Sequence, residues 1–374
     1  MGFKINSKEL SKRLEQLAKV VSQKNVMPIL ADVMMDIRGD MVVLTTSDGE
    51  LWLSLKCPIV SSDGDIKLCV NIKDLLSLMS NIDNDVTITV DDGESQITCN
   101  YGNGEFNMPY DNADEYPTSD NLQGEAKSVI VEGRKMYNAI RMTEFAIATD
   151  TATVTVSPVL GGMNFDFNAN GMSVSATNRF KVAIYNDDTV RDGEGCVNIP
   201  RKTISIISSL LGGIDGEVKI SFNNSCISVS NTDLKLSSRL VDGRFPDCKK
   251  VIPESPSLTV SVKKSDLLLA LKRVMPMSND ISELVRMEFG EGHVTLTTEN
   301  AIFGKRASET VECDCSQSFV IGFKGSDLTE IIRNIDDEDV TVELADAKRA
   351  GVFYASSAYT KDEYVSLLSP SNIQ

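Results

Sequence analysis

The chain has 374 residues, too many for one hydrophobic core and suited to about three domains. Its 37 Lys and Arg against 54 Asp and Glu give a formal charge of −17, which suits a soluble cytoplasmic protein rather than a membrane or secreted one. There is no apolar run of about 18 residues, no signal-peptide core near Met1, and no myristoylation pattern, because Asn6 stands where Ser or Thr is needed.

In chain order, a short strand at Phe3–Asn6 leads into an amphipathic helix predicted over 7–24, then a hydrophobic turn at Met27–Leu30. Strands follow at Met41–Thr46 and Leu51–Leu55, and a second helix over 71–81. The alternation in Val86–Val90 and Gln96–Tyr101, around an Asp91-Asp92-Gly93 turn, marks a hairpin. A strand at Val129–Val131 then opens a helix over 132–148 and a turn at Ser157–Leu160. A hairpin turning at Asn168–Gly171, a helix over 200–211 and a hairpin turning at Asn223–Ser225 complete this stretch. The third stretch runs from Leu258 into a helix over 263–275, a hairpin turning at Gly290–Gly292, a helix over 323–334 and final strands. Polar, turn-rich segments at 120–125 and 253–257 read as linkers.

A strand entering a helix with basic residues in its first turn therefore recurs three times, and each repeat divides into two helix-plus-strands units. The expected fold is α+β, with domains at 1–124, 125–254 and 255–374. The six predicted helices carry 17 Lys and Arg against 8 Asp and Glu, inside a strongly acidic chain. Positive charge so segregated suits a polyanion. No aromatic residues interleave the basic ones and no set is built to read base edges, so the pattern fits the duplex backbone irrespective of sequence.

Enzyme chemistry is missing from the residues. The single histidine, His293, sits beside a hairpin turn with no nucleophile placed for it. Leu211–Gly216 is a helix stop rather than a phosphate loop, and Asp336–Asp339 lacks calcium-loop spacing. The eight cysteines read as reduced and mostly buried. Cys313-Asp314-Cys315 has no second ligand pair, so no metal is expected. No cofactor and no catalytic residue is assigned.

Local motifs then match a family. Met27-Pro-Ile-Leu-Ala-Asp32, Ser175-Ala-Thr-Asn-Arg-Phe-Lys-Val-Ala183, Asp242-Gly-Arg-Phe-Pro-Asp247 with Val251-Ile-Pro253, and Tyr116-Pro117 occur in the right order and spacing. On these the chain resembles the bacterial DNA polymerase III beta subunits, the sliding clamps, over nearly its whole length. The resemblance implies three similar DNA-clamp domains and a head-to-tail homodimer forming a six-domain ring. It implies a processivity factor that encircles duplex DNA, slides along it, and tethers replicative polymerase, clamp loader and repair proteins by short peptides; no membrane is involved.

It also implies site residues. DNA-contacting positions are Lys8, Lys12, Lys19, Lys24, Lys73, Arg134, Lys135, Arg141, Arg201, Lys202, Lys264, Lys272 and Arg273. A partner-peptide pocket would draw on Leu160, Thr177, Lys181, Val182, Pro246, Lys250, Val251, Gly351, Leu367, Leu368 and Pro370, near Ala350. The dimer interface would set Phe106 and Met108 against Pro276 and Met277. Arg179-Phe180 departs from a Gly-His pair in the family, and lysines 181 and 250 stand where arginine is common. The competing readings are an extracellular repeat-built binding or adhesion protein, which a secretion signal or paired cysteines would favour, and an enzyme using carboxylates of the acidic strands.

Overall fold

Asn6 starts the first helix by capping it: its side-chain oxygen accepts the N–H groups of Lys8 at 3.1 Å and Glu9 at 3.2 Å. Asn71 caps the second in the same way, accepting from Lys73 and Asp74. The computed structural model describes residues 1–22, 27–118, 122, 125–190, 193–213 and 215–373.

Strands β1 Gly2–Asn6, β2 Asp32–Arg38, β3 Met41–Ser47, β4 Leu51–Pro58, β5 Ser61–Ser62 and β6 Ile66–Asn71 are interrupted by helix α1, Ser7–Leu17, and followed by α2, Ile72–Met79. Then come β7 Asp85–Asp91, β8 Gln96–Tyr101, β9 Gly104–Pro109 and β10 Lys127–Glu132, helix α3 Gly133–Thr143 and the short helix α4 Thr151–Val156. Strands β11 Gly162–Asn168, β12 Gly171–Thr177, β13 Lys181–Asp187 and β14 Gly195–Pro200 lead to α5 Arg201–Leu211. After it run β15 Glu217–Phe222, β16 Cys226–Ser230, β17 Leu234–Arg239 and β18 Leu258–Lys263. The chain ends with α6 Lys264–Val274, β19 Leu284–Gly290, β20 His293–Asn300, β21 Lys305–Glu312, β22 Phe319–Lys324, α7 Gly325–Asn334, β23 Asp339–Leu344, β24 Gly351–Ala355 and β25 Tyr364–Leu368. A strand runs straight into a helix six times, at α1, α2, α3, α5, α6 and α7, as the repeats predict.

Contacts divide the chain into two units, 1–134 with 205–240 and 135–204 with 241–374. The first holds a sheet ordered β5-β1-β7-β8-β9 and a second ordered β10-β15-β16-β17-β4-β3-β2-β6. The second holds β14-β11-β12-β13-β25-β24-β23-β18 and β21-β20-β19-β22. Each long sheet joins two sequence repeats by one antiparallel pair, β17 with β4 (Leu236↔Leu53) and β13 with β25 (Val182↔Leu367).

In the first unit α1 buries Leu10, Leu14 and Leu17, one helical stripe, against β4 and β3. Beside it Ser7 Oγ donates to the Ile82 carbonyl at 2.6 Å. In the second unit the apolar stripe of α6 packs against β20, β21 and α7, and Phe323 meets Phe353 edge-on at 5.7 Å. No helix among the described residues is long and apolar enough to cross a membrane.

The structure departs from the sequence reading in four places. Helix α1 stops at Leu17 instead of reaching 24, because Val20 is fully buried and the chain tightens there, Val20 N–H donating to the Leu17 carbonyl at 3.0 Å. The helix expected over 132–148 ends at Thr143. Helix α4, rich in β-branched residues, was not predicted; Asp150 caps it, accepting the Thr153 N–H at 2.7 Å. Met108 is only 4% exposed, a core residue of β9 and not part of an exposed apolar pair with Phe106. Of the first expected linker, only residues 122 and 125 are described.

Candidate functional site

In the second unit β12, β13, β25 and β24 lie side by side, and their residues align in rows across the sheet. One row is Thr177, Val182, Leu367 and Val352; the next is Lys181, Leu368 and Gly351. Successive rows point to opposite faces because side chains alternate along a strand. The first row meets Ile184, Cys248 and Val365 in an apolar cluster, with Phe245, Ile252 and Ala350 packed on it.

Over this face opens a groove of about 440 Å³. Leu160 comes from the single turn Pro158–Gly161, and Pro246 and Val251 come from the segment after β17. Phe180 and Val251 stand at the rim, 62% and 53% exposed. Burial pushes the Cys248 thiol up to about 11, so it lines the groove as an apolar group. Asp247 at the rim pairs with Lys250 at 3.2 Å, and hydrogen bonding from that lysine holds its carboxyl below the usual range.

The structure brings Leu160, Thr177, Val182, Pro246, Val251 and Leu367 to one groove, with Ala350 beside them. It does not bring Lys181, Gly351, Leu368, Lys250 or Pro370 to its wall. Lys181, Gly351 and Leu368 occupy the row on the opposite face. Lys181 is 6% exposed and its Nζ bonds Asp327 at 3.0 Å and Glu330. A Cβ on Gly351 would stand 2.7 Å from Phe323 Cζ, so this position faces packed side chains. Lys250 extends into solvent. Leu368 and Pro370 line an adjoining cleft of about 670 Å³, together with Asp150, Lys324 and Asp327. Phe180 borders both clefts. Sequence reasoning noted Phe180 only as a departure, and it missed Val159 and Arg244.

Both units present basic helix residues. Lys12, Lys73, Arg134, Arg201, Lys202 and Lys272 are exposed, as is Lys19 in the turn that follows α1. Ion pairs join Lys8 to Asp83 at 3.2 Å, Lys135 to Asp187 at 3.5 Å, Arg141 to Asp336 at 2.9 Å and Arg273 to Glu309 at 2.5 Å. Lys264 Nζ donates to the Ile335 carbonyl. Lys24 lies outside the described residues. Among the described residues no group of three or more His, Cys, Asp or Glu could hold a metal ion.

Phe106 on β9 is 40% exposed and Met277 is 38% exposed, with Pro276 also exposed. Within its unit β9 is an edge strand bonded to β8 alone, and β21 is an edge strand bonded to β20.

Family models for the DNA polymerase III beta subunit match throughout: the N-terminal domain at residues 1–123, the central domain at 130–247 and the C-terminal domain at 249–363. The beta sliding clamp of Pseudomonas aeruginosa is 26% identical over 357 residues, spanning 95% of this chain and 96% of that protein. That of Haemophilus influenzae is 25% identical over 351 residues, spanning 93% and 94%. The crystal structure of a sliding clamp from Pseudomonas aeruginosa bound to griselimycin superposes with a TM-score of 0.93 at 24% identity, covering all of both chains. The DNA polymerase III beta subunit of Thermotoga maritima superposes with a TM-score of 0.89 at 19% identity, again over all of both chains.

Proposed function

The chain belongs to the DNA polymerase III beta subunit family, and from that premise we propose that it is a sliding clamp, a non-catalytic processivity factor of the replicative polymerase. Two copies close head to tail around duplex DNA in the cytoplasm, each contributing domains bounded at 1–124, 125–254 and 255–374. The observation that carries this reading is the family match over all three domains, beside a groove assembled from segments distant in sequence.

Holding DNA by encirclement requires weak, sequence-independent attraction. Exposed cations on the helices, among them Lys12, Lys73, Arg134, Arg201 and Lys272, with Lys19 just past the end of α1, supply it through the phosphates. Those already in ion pairs contribute less. Tight base contacts would stop sliding.

Ring closure uses the two edge strands. Edge β9 of one copy meets edge β21 of the other, with Phe106 against Met277 and Pro276, and strand pairing satisfies backbone groups that each sheet leaves open. Met108, two residues along β9 and on the same face of the strand as Phe106, is buried within its own copy.

The groove over Val182 and Leu367 takes a short linear peptide from polymerase, clamp loader or repair proteins, with apolar anchors such as Leu and a terminal Phe. A five- or six-residue segment offers few anchors, so affinity is about micromolar. The test is primer extension on a primed circle with the matching polymerase and loader. Adding the protein lengthens the products of single binding events; unchanged product length contradicts the function.

A further inference from the structure

Two joints between sequence repeats lie within the chain, β4 with β17 and β13 with β25, while β9 and β21 each keep an open edge. The strand ladders relate these six strands residue by residue. Counted across the ladders from the fourth residue before α1, α3 and α6, Phe106 on β9 corresponds to Leu236 on β17 and Ser366 on β25. Counted likewise from α2, α5 and α7, Ala307 on β21 corresponds to Leu53 on β4 and Ala183 on β13. Both internal joints set these counterparts opposite each other, Leu53↔Leu236 and Ala183↔Ser366.

The backbone bonds of the joints repeat as well. At one end Lys56 N–H donates to the Asp233 carbonyl and Asn186 N–H to the Glu363 carbonyl, both at 2.8 Å. At the other end Arg239 N–H donates to the Glu50 carbonyl at 3.0 Å and Ser369 N–H to the Phe180 carbonyl at 2.7 Å. Between β9 and β21 the first bond would run from Thr310 N–H to the Asn103 carbonyl. The second cannot form, because the counterpart of Arg239 and Ser369 is Pro109, which has no N–H. The Pro109 nitrogen faces the open edge: the next residue, Tyr110, turns its N–H the other way, donating to the Ser95 carbonyl at 3.1 Å.

Resting on the reading that β9 of one copy meets β21 of another, we infer that this joint takes the register of the internal joints, with Phe106 opposite Ala307, and that Pro109 leaves it one hydrogen bond short. The partner is a second copy of this chain. Phe106 opposite Ala307 sets a large side chain against a small one, which suits close packing. The missing bond makes the seam between copies the joint that gives way first when the ring opens.

Two measurements on the full chain test this. Oxidising a Glu105→Cys, Ser308→Cys variant should give a covalent dimer, because directly opposed residues lie about 5.5 Å apart, within disulfide reach. Both side chains are exposed and lie on the strand faces away from Phe106 and Ala307. Glu105→Cys with Arg306→Cys, two residues out of register and about 7–8 Å apart, should stay uncrosslinked. Pro109→Ala restores the missing donor, so exchange between donor- and acceptor-labelled dimers should slow about fivefold or more, with the unfolding temperature unchanged. A dimer that cross-links through the offset pair, or through neither pair, overturns the register. Exchange as fast as in the wild type overturns the role of Pro109. A wild type that sediments as a monomer removes the contact between copies itself, and this inference with it.

Discussion

Lys181 Nζ lies 3.0 Å from the Asp327 carboxylate, joining β13 to α7 beneath the sheet face opposite the groove. Glu330 takes the same ammonium, and the Phe145 ring lies 5.9 Å away. Asp327 is only 8% exposed, so Lys181→Met leaves a buried carboxylate without its cation. The expected loss is about 3 kcal/mol, seen as a lower unfolding temperature of the second unit. Lys181→Met with Asp327→Leu should recover most of it. A single variant as stable as the wild type would contradict this role.

Asp32 makes the stability of the first unit depend on pH. Burial first, then hydrogen bonding and repulsion from Asp111, raise its carboxyl from 3.8 to about 7. A carboxyl raised in the folded state favours folding while it is protonated and disfavours it once ionised. Stability should therefore fall as pH rises from about 4 to about 8, by roughly 1–3 kcal/mol, and Asp32→Asn should remove that component. Denaturant unfolding of wild type and variant across this range checks it; parallel curves would refute it.

Much of this architecture was legible in the sequence. The strand-into-helix repeat predicted six helices, and all six occur, because an amphipathic stripe is a local signal. Strand partners were not legible. Period-2 alternation says which residues share a face, but not that β4 pairs with β17 or β13 with β25. The groove shows the same limit. Val182 and Leu367 were placed together correctly, yet their neighbours Lys181 and Leu368 were included although one residue along a strand reverses the face. The end of α1 was missed because the apolar periodicity runs on to Val20, which is buried although it lies past the last helical residue.

Phe180→Ala should weaken peptide binding about tenfold, because Phe180 borders both clefts and its loss removes a single anchor worth about 1.4 kcal/mol. Calorimetry with an apolar peptide ending in Phe measures this. Deleting residues 367–374, the simplest way to probe the tail, is unsuitable: Leu367 and Leu368 belong to β25, an interior strand of its sheet. An unchanged affinity in Phe180→Ala would place the peptide elsewhere.

Phe106→Asp and Met277→Asp should each yield monomers by putting a carboxylate into the proposed contact between copies. Met108→Asp should instead unfold the first unit, since that side chain is already buried. Sedimentation separates the cases. A stable dimer in both Phe106→Asp and Met277→Asp would rule out this interface.

The clamp reading depends above all on topology, and gel filtration of the protein loaded on nicked circular DNA measures it. The protein should elute with the circle, and should be lost once a restriction enzyme linearises that DNA, because a ring slides off a free end. Replacing Lys12, Lys73 and Arg201 with Glu should lower the amount loaded without altering this dependence on ends. Retention that survives linearisation, or that requires a particular base sequence, would contradict encirclement.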